Sequence, residues 1–448
     1  MTEVVRTEPG TSGLSRALAG WRDPAARILN VDLLAVLLAI LLPWSTTGVA
    51  IAAVLFVIAL LPTLEPGAFL RSLKRPICAA PIAMVALALV GTLWSSAPWD
   101  ERLHAVGPIV KLLALPLLLY HFERSVRGIW VFIAFLVSCM LLMAASCAAA
   151  FDPALSLKPY LSRGGYFPVR GIVVKNYIDQ SQEFALCVVA LAYPLTTSLR
   201  ANRIWLPALL ATIALGFLVN MMFVVVSRTA LVTMPIMLMV FALVHLRLRT
   251  AIAVLCSAAL LAVLVFGVSP NLRATISKFV ADYQQSEVQG NVSGVYSRLE
   301  YWRKSLHFFE QAPLIGHGTG STRGLFERAA VGQAGFRAEI VANPHNQTLG
   351  VAVQWGAIGI AVLYAMWWLH LSLFRGDGLA NWVGLMVVVQ NFFTSLFNSH
   401  LFDFHEGWMY VLGVGVAGGM ALRARRGAGA LDAVPQPTQV DNSFEAVP

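Results

Sequence analysis

The chain has 448 residues, of which 58% are hydrophobic and only 12% charged, and its mean hydropathy is +0.71. Soluble globular chains carry about 25% charged residues, so the composition excludes a soluble domain and places most of the chain in lipid. The formal charge of +9 reads as a report of membrane topology rather than as affinity for nucleic acid.

The first segment, residues 1–27, carries Arg6, Arg16, Arg22 and Arg27. It has no apolar core followed by a small-residue cleavage site, so the first span is expected to be retained. A membrane-spanning helix needs about 20 mostly apolar residues. Twelve stretches qualify. Nine lie in residues 28–267, centred near Leu38, Phe56, Leu87, Leu115, Leu136, Val188, Ile213, Met237 and Leu260. Three lie in residues 343–422, centred near Val362, Val388 and Val414. The fourth and sixth are the least apolar, with Lys111 and Glu183 inside them. Five cysteines, at 78, 139, 147, 187 and 256, all fall in apolar stretches without C-x-x-C spacing. They read as small hydrophobes, not as a disulfide framework or a metal site.

Charge orients these spans. Arg71, Lys74 and Arg75 follow span two, Arg124 and Arg127 span four, Arg200 and Arg203 span six. Arg247 and Arg249 follow span eight, Arg375 span ten, and Arg423, Arg425 and Arg426 span twelve. Every even-numbered exit is basic, which places those exits and both termini in the cytoplasm. Residues 423–448 form a cytoplasmic tail that reads as disordered from Gly427 onward.

Under this topology the opposite face is basic where it should not be. Residues 152–175 carry Lys158, Arg163, Arg170 and Lys175 against Asp152 alone. The long loop, residues 268–342, holds Arg273, Lys278, Arg298, Arg303, Lys304, Arg323, Arg328 and Arg337 against six carboxylates. Arg228, in Val226-Ser227-Arg228-Thr229, sits in an apolar turn between spans seven and eight. An arginine there is costly unless an anion meets it. The planar guanidinium fork suits phosphate oxygens, so a diphosphate partner outside the membrane is the simplest inference. The bland alternative is that these arginines reach membrane lipid phosphates or pair with loop acids.

Within the long loop, Val295, Leu299, Trp302, Leu306 and Phe309 recur at spacings of four, three, four and three. This predicts an amphipathic helix lying on the membrane surface or capping a cavity, and ending at Ala312-Pro313. The following Gly316-His317-Gly318-Thr319-Gly320-Ser321 lacks a preceding strand and a Lys-Ser/Thr ending. It reads as a structural turn and not as a P-loop. Asn343-Pro344 predicts a helix start, with Asn343 as N-cap and His345 in the first turn. The helix dipole there disfavours the imidazolium, and a neutral imidazole is what a general base requires. Gly356 and Gly359, three apart, share a helix face that lets another segment approach closely.

Four strings in this region resemble the O-antigen ligase family: Ser227-Arg228-Thr229; Tyr296-Ser297-Arg298-x-x-x-Trp302; Pro313-x-x-Gly316-x-Gly318; and His345-Asn346-x9-Gly356-x-x-Gly359. The resemblance is strongest from about Ser227 to Gly359. It implies an all-α integral membrane protein of about twelve transmembrane helices with one large periplasmic loop, a GT-C-like glycosyltransferase of the bacterial inner membrane. The implied reaction needs neither metal nor nucleotide. The donor is an undecaprenyl-diphosphate-linked O-antigen and the acceptor a sugar hydroxyl of lipid A–core. His345 would be the base, and Arg228 and Arg298 would hold the donor diphosphate, with Asn346, Gly356 and Gly359 supporting the motif. Charge placement alone adds Arg163, Arg170 and Lys175 to the diphosphate site.

Three rivals stand beside this reading. An O-antigen polymerase would use the same chemistry on another acceptor. A metal-dependent glycosyltransferase would need a divalent ion at Asp100-Glu101 or at Asp403-Phe404-His405-Glu406; such acidic pairs are more often solvated faces. A transporter of lipid-linked glycans would show paired halves and midplane charges, whereas here the ionisable residues cluster at one face and no internal repeat is visible.

Overall fold

The computed structural model describes residues 23–155, 157, 171–174, 176–274, 276–277 and 294–432. Among the described residues the regular structure is helical, with no strand. The chain runs through α1 (Pro24–Leu41), α2 (Thr46–Leu60), α3 (Pro66–Leu73), α4 (Pro76–Val90), α5 (Trp99–Val110), α6 (Ala114–Phe122), α7 (Gly128–Phe151) and α8 (Tyr177–Arg200). It continues through α9 (Trp205–Val219), α10 (Arg228–His245), α11 (Leu248–Val268), α12 (Gly294–Gln311), α13 (Ser321–Ala330), α14 (Gln347–Leu373), α15 (Leu379–Thr394) and α16 (Phe404–Asp432).

Each of the twelve predicted span centres falls inside one of these helices. Among the described residues nine helices are long and apolar enough to cross a membrane, and ten if α3 and α4, bent by 78° at their junction, make one span. α15 is apolar but only 16 residues long. α16 runs on to Asp432, past Gly427 from which disorder was expected. Starts follow local chemistry: Ser45 caps α2 through Gly48 N–H, and Asn176 caps α8 through the N–H groups of Ile178 and Asp179. Proline opens α1, α3 and α4, where its missing N–H costs nothing. With no water inside lipid, helices satisfy their own backbone and then pack through small residues. At the contact of α6 with α16, a Cβ on Gly419 would stand 2.6 Å from Phe122 Cβ.

The basic exits meet at one end of the bundle. Glu123 pairs with Arg75 at 2.9 Å and with Arg426 at 2.8 Å, joining the ends of α6 and α16 to the start of α4. Arg425 donates to the carbonyls of Leu373 and Arg375, and Arg200 to that of His245. Arg127 and His121 both reach the buried Asp32.

The long loop packs back on the bundle at the other end. α12 spans the expected residues, but the face it turns inward is Ser297, Tyr301, Lys304 and Phe308. Tyr301 and Phe308 join Leu325, Phe326 and Val353 in a second, smaller core. Leu299 and Leu306 of the apolar stripe stay 47% and 50% exposed. Two aromatic rings fill more core volume than two leucines, which leaves the leucine stripe outward.

Candidate functional site

A backbone insertion fixes the first turns of α14. At Gly356 the backbone takes φ 59° and ψ −152°, and the helix breaks. The 313–318 turn fills the break: Ala357 N–H donates to Pro313 O, while His317 and Gly318 donate to the carbonyls of Val353 and Gln354. A Cβ at residue 356 would lie 2.5 Å from Leu314 C and O. Gly356 therefore does admit another segment, by breaking the helix rather than by smoothing its face. Gly359 is crowded by its own helix, with Trp355 Cβ and Val351 Cγ1 nearest. The glycine-rich turn has no N–H row to offer a phosphate, because Thr319 N–H donates to Gly91 O and Gly320 N–H to Gln354 Oε1.

The start of α14 corrects the expectation from Asn343-Pro344. The N-cap is Asn346, whose Oδ1 accepts from Leu349 N–H, and the helix begins at Gln347. Asn343 is spent elsewhere: its Oδ1 accepts from His345 N–H at 2.9 Å and from Ser399 Oγ at 2.7 Å. His345 thus precedes the helix in the left-handed region, φ 54°. The loop after α15 is tied to this point by Gln347 N–H to Ser395 O and Asn346 Nδ2 to Leu396 O.

That tie brings Asn398 to the imidazole. Asn398 Nδ2 donates to Asp403 Oδ2 at 2.7 Å, so its Oδ1 faces His345 Nδ1 at 2.8 Å. An amide oxygen only accepts, so Nδ1 carries the proton and Nε2 keeps its lone pair. Burial holds the His345 imidazole below its ordinary value; the Asn398 hydrogen bond opposes this and the charge of Arg298 adds to it. A neutral base arises here from burial more than from the helix dipole. Burial raises the Asp403 carboxyl to about 6 despite the opposing charge of Lys111, whose ammonium donates to the backbone carbonyls of Phe402 and Asp403.

Arginine charge also reaches this imidazole, from α12. Arg298, half-buried on α12, is pulled below the ordinary arginine range by burial first, with the positive charge of Arg228 also against it. Arg228 is the first residue of α10, directly after the π-turn Asn220–Val224 and a short extended stretch. Tyr301 donates its hydroxyl to Glu339 and places its ring 6.1 Å from that of His345. Two half-buried guanidinium groups that feel each other's charge are a chemical match for the oxygens of an anion.

His345 feels the charge of Arg298, and Arg298 that of Arg228, although the three lie far apart in sequence. Arg163, Arg170 and Lys175 lie outside the described residues. Sequence reasoning passed over Asn398, and weighed Asp403 only as a metal ligand. His400 also escaped notice; buried, and kept near 4 by that burial, it feels Asp179, Arg298 and His345. The available signal was the polar run Asn398-Ser399-His400 closing an apolar span. Among the described residues no three His, Cys, Asp or Glu side chains are grouped to hold a metal ion.

Residues 213–364 match a family model described as O-antigen ligase. No curated protein matches the chain. The matched span includes Arg228, Arg298, His345, Gly356 and Gly359, and ends before Asn398 and Asp403.

Proposed function

We propose that this chain, whose residues 213–364 carry an O-antigen ligase family domain, transfers O-antigen polysaccharide from undecaprenyl diphosphate to a sugar hydroxyl of lipid A–core. The transfer takes place at the periplasmic face of the bacterial inner membrane. Nε2 of His345 accepts the proton of the acceptor hydroxyl as its oxygen attacks the anomeric carbon of the donor. The bond from that carbon to the diphosphate oxygen breaks, and the diphosphate leaves with the electron pair. Arg228 and Arg298 stabilise the charge that develops on it, with Arg163, Arg170 and Lys175 as further contacts. No metal ion enters the reaction. The reading rests on one arrangement: a neutral imidazole whose Nδ1 is held by Asn398, in the field of Arg298, which in turn feels Arg228.

Two assays test it. The purified protein, given lipid-linked O-antigen and lipid A–core, is expected to form ligated product, and His345→Ala to form it about 10²–10⁴-fold more slowly. In cells lacking the gene, long O-antigen chains are expected to collect on the lipid carrier. Single units there would instead make the protein a polymerase using the same groups on another acceptor. Normal capping of lipid A–core in such cells would exclude both.

A further inference from the structure

Lys111 stands midway along the apolar stretch 99–122 and is the one Lys, Arg, Asp or Glu between Arg102 and Glu123. A cation so placed is costly in lipid and persists where it has a partner or a task. Here the partner is a single segment. The ammonium donates to the carbonyls of Phe402, at 3.0 Å, and of Asp403, the last two residues before α16. Gly407, in the first turn of α16, leaves room for it: a Cβ there would overlap Lys111 Cε and Nζ.

The segment that Lys111 holds is the one that orients the base. The N–H groups of Phe402 and Asp403 both donate to Ser399 O and close a turn. At its other end the loop is bound to the start of α14, through Ser395 O, Leu396 O and Ser399 Oγ. Asn398 lies between the two ties, and its amide reaches from Asp403 Oδ2 to His345 Nδ1. The place of that amide therefore depends on Lys111 as much as on α14.

Lys111 also acts on Asp403 by charge, which opposes the rise that burial imposes on the carboxyl. Other groups face the same carboxyl. Asp179 on α8 raises it, and His400 Nε2 stands 4.0 Å away. Glu406 on α16 lies 4.0 Å from that same histidine nitrogen. Asp100, Glu101 and His104 of α5 and Arg323 of α13 line the cleft that Asp403 borders. Among these charges that of Lys111 acts most strongly.

We infer that Lys111 is a positioning residue for the base: it fixes the 395–403 loop, holds Asp403 as the carboxylate that grips Asn398, and through that amide sets the tautomer of His345. The inference rests on the transfer reaction proposed above and adds a residue that never touches substrate.

The test joins kinetics to a readout that needs no turnover. Lys111→Met keeps most of the stem and removes both charge and donor. In the full chain in detergent it should lower kcat about tenfold, as loss of hydrogen bonds from a charged donor predicts, with donor KM near normal. The acidic limb of kcat/KM should move to higher pH, because a carboxylate that loses a nearby cation binds its proton more readily. On an Asp403→Asn background the same change should not move the limb. Lys111→Arg, which keeps the charge, should leave the limb in place whether or not kcat falls. A thermal melt confirms that each variant is folded. In protein labelled with ¹⁵N-histidine, the ring signals of His345 are identified by their loss in His345→Ala. They should show the Nδ1–H form in the unaltered chain and a mixture of forms in Lys111→Met. A limb unmoved by Lys111→Met, moved as far on the Asp403→Asn background, or moved by Lys111→Arg would overturn the inference. So would an Nδ1–H form that persists in Lys111→Met. Failure of the reaction itself looks different: a tautomer that depends on Lys111, in a chain that performs no transfer, would sink the proposed chemistry and leave the positioning role standing.

Discussion

Nδ1 of His345 lies 2.8 Å from Oδ1 of Asn398, a residue 53 positions further along the chain, and Asn398 is itself held by Asp403. The carboxylate fixes the amide, and the amide fixes the imidazole tautomer. Removing the base itself, His345→Ala, should reduce transfer about 10²–10⁴-fold while leaving donor binding near normal. Asn398→Ala should fall between that variant and the unaltered protein, since the imidazole stays but is no longer oriented. The discriminating readout is kcat against donor KM. A change confined to donor KM in either variant would remove the histidine from the chemical step.

The acidic limb of activity should reflect Asp403. Its carboxyl titrates at about 6, and its proton, once bound, weakens the hold on Asn398. The His345 imidazole is held below its ordinary value by burial, and its own charging adds to the same limb. Activity should therefore fall as pH drops through about 6. In Asp403→Asn the limb should change position and lose the Asp403 contribution, with a reduced plateau, because only His345 remains to titrate. A kcat/KM profile whose limb is unmoved in Asp403→Asn would show that Asp403 plays no part in setting it.

Arg228→Lys should fail almost as badly as Arg228→Ala, although it keeps the charge, because an ammonium cannot make the paired contact that a diphosphate invites. Arg298→Ala should weaken transfer partially, with a deficit that shrinks as donor concentration rises. Because Arg298 and Arg228 feel each other's charge, the double variant should be less than additive. Strict additivity of the two free-energy losses would place them at separate sites.

Gly356→Ala should destabilise the protein. A side chain there needs φ 59° with ψ −152°, a region open essentially to glycine alone, and strain of this kind costs about 1–3 kcal/mol. The added Cβ would also press on the Leu314 backbone. Gly359→Ala meets side chains rather than another segment's backbone and should be milder. Melting temperatures in detergent decide it: equal values for Gly356→Ala and the unaltered protein would mean the 313–318 insertion gives way freely.

The helices were legible because the signal is local: an apolar run long enough to cross a bilayer announces itself within its own residues. The basic exits were legible for the same reason, and contacts such as Arg75–Glu123–Arg426 gather several of them at one end. Arg228 stood out as a charge in an apolar turn where lipid makes it costly, and His345 and Arg298 through the short strings that hold them. Local signals failed where a side chain had a better partner elsewhere. Asn343-Pro344 has the grammar of a helix start, yet Ser399 and the His345 N–H claim the Asn343 side chain, and the cap passes to Asn346. Gly356 reads as a smooth helix face until the 313–318 turn breaks it. Asn398 and Asp403 carry no mark in the sequence that ties them to His345. Only the packing of α14 against α15 and α16 brings the loop between those two helices to the imidazole, and a hydrogen bond exists only once both its ends have been delivered to the same place.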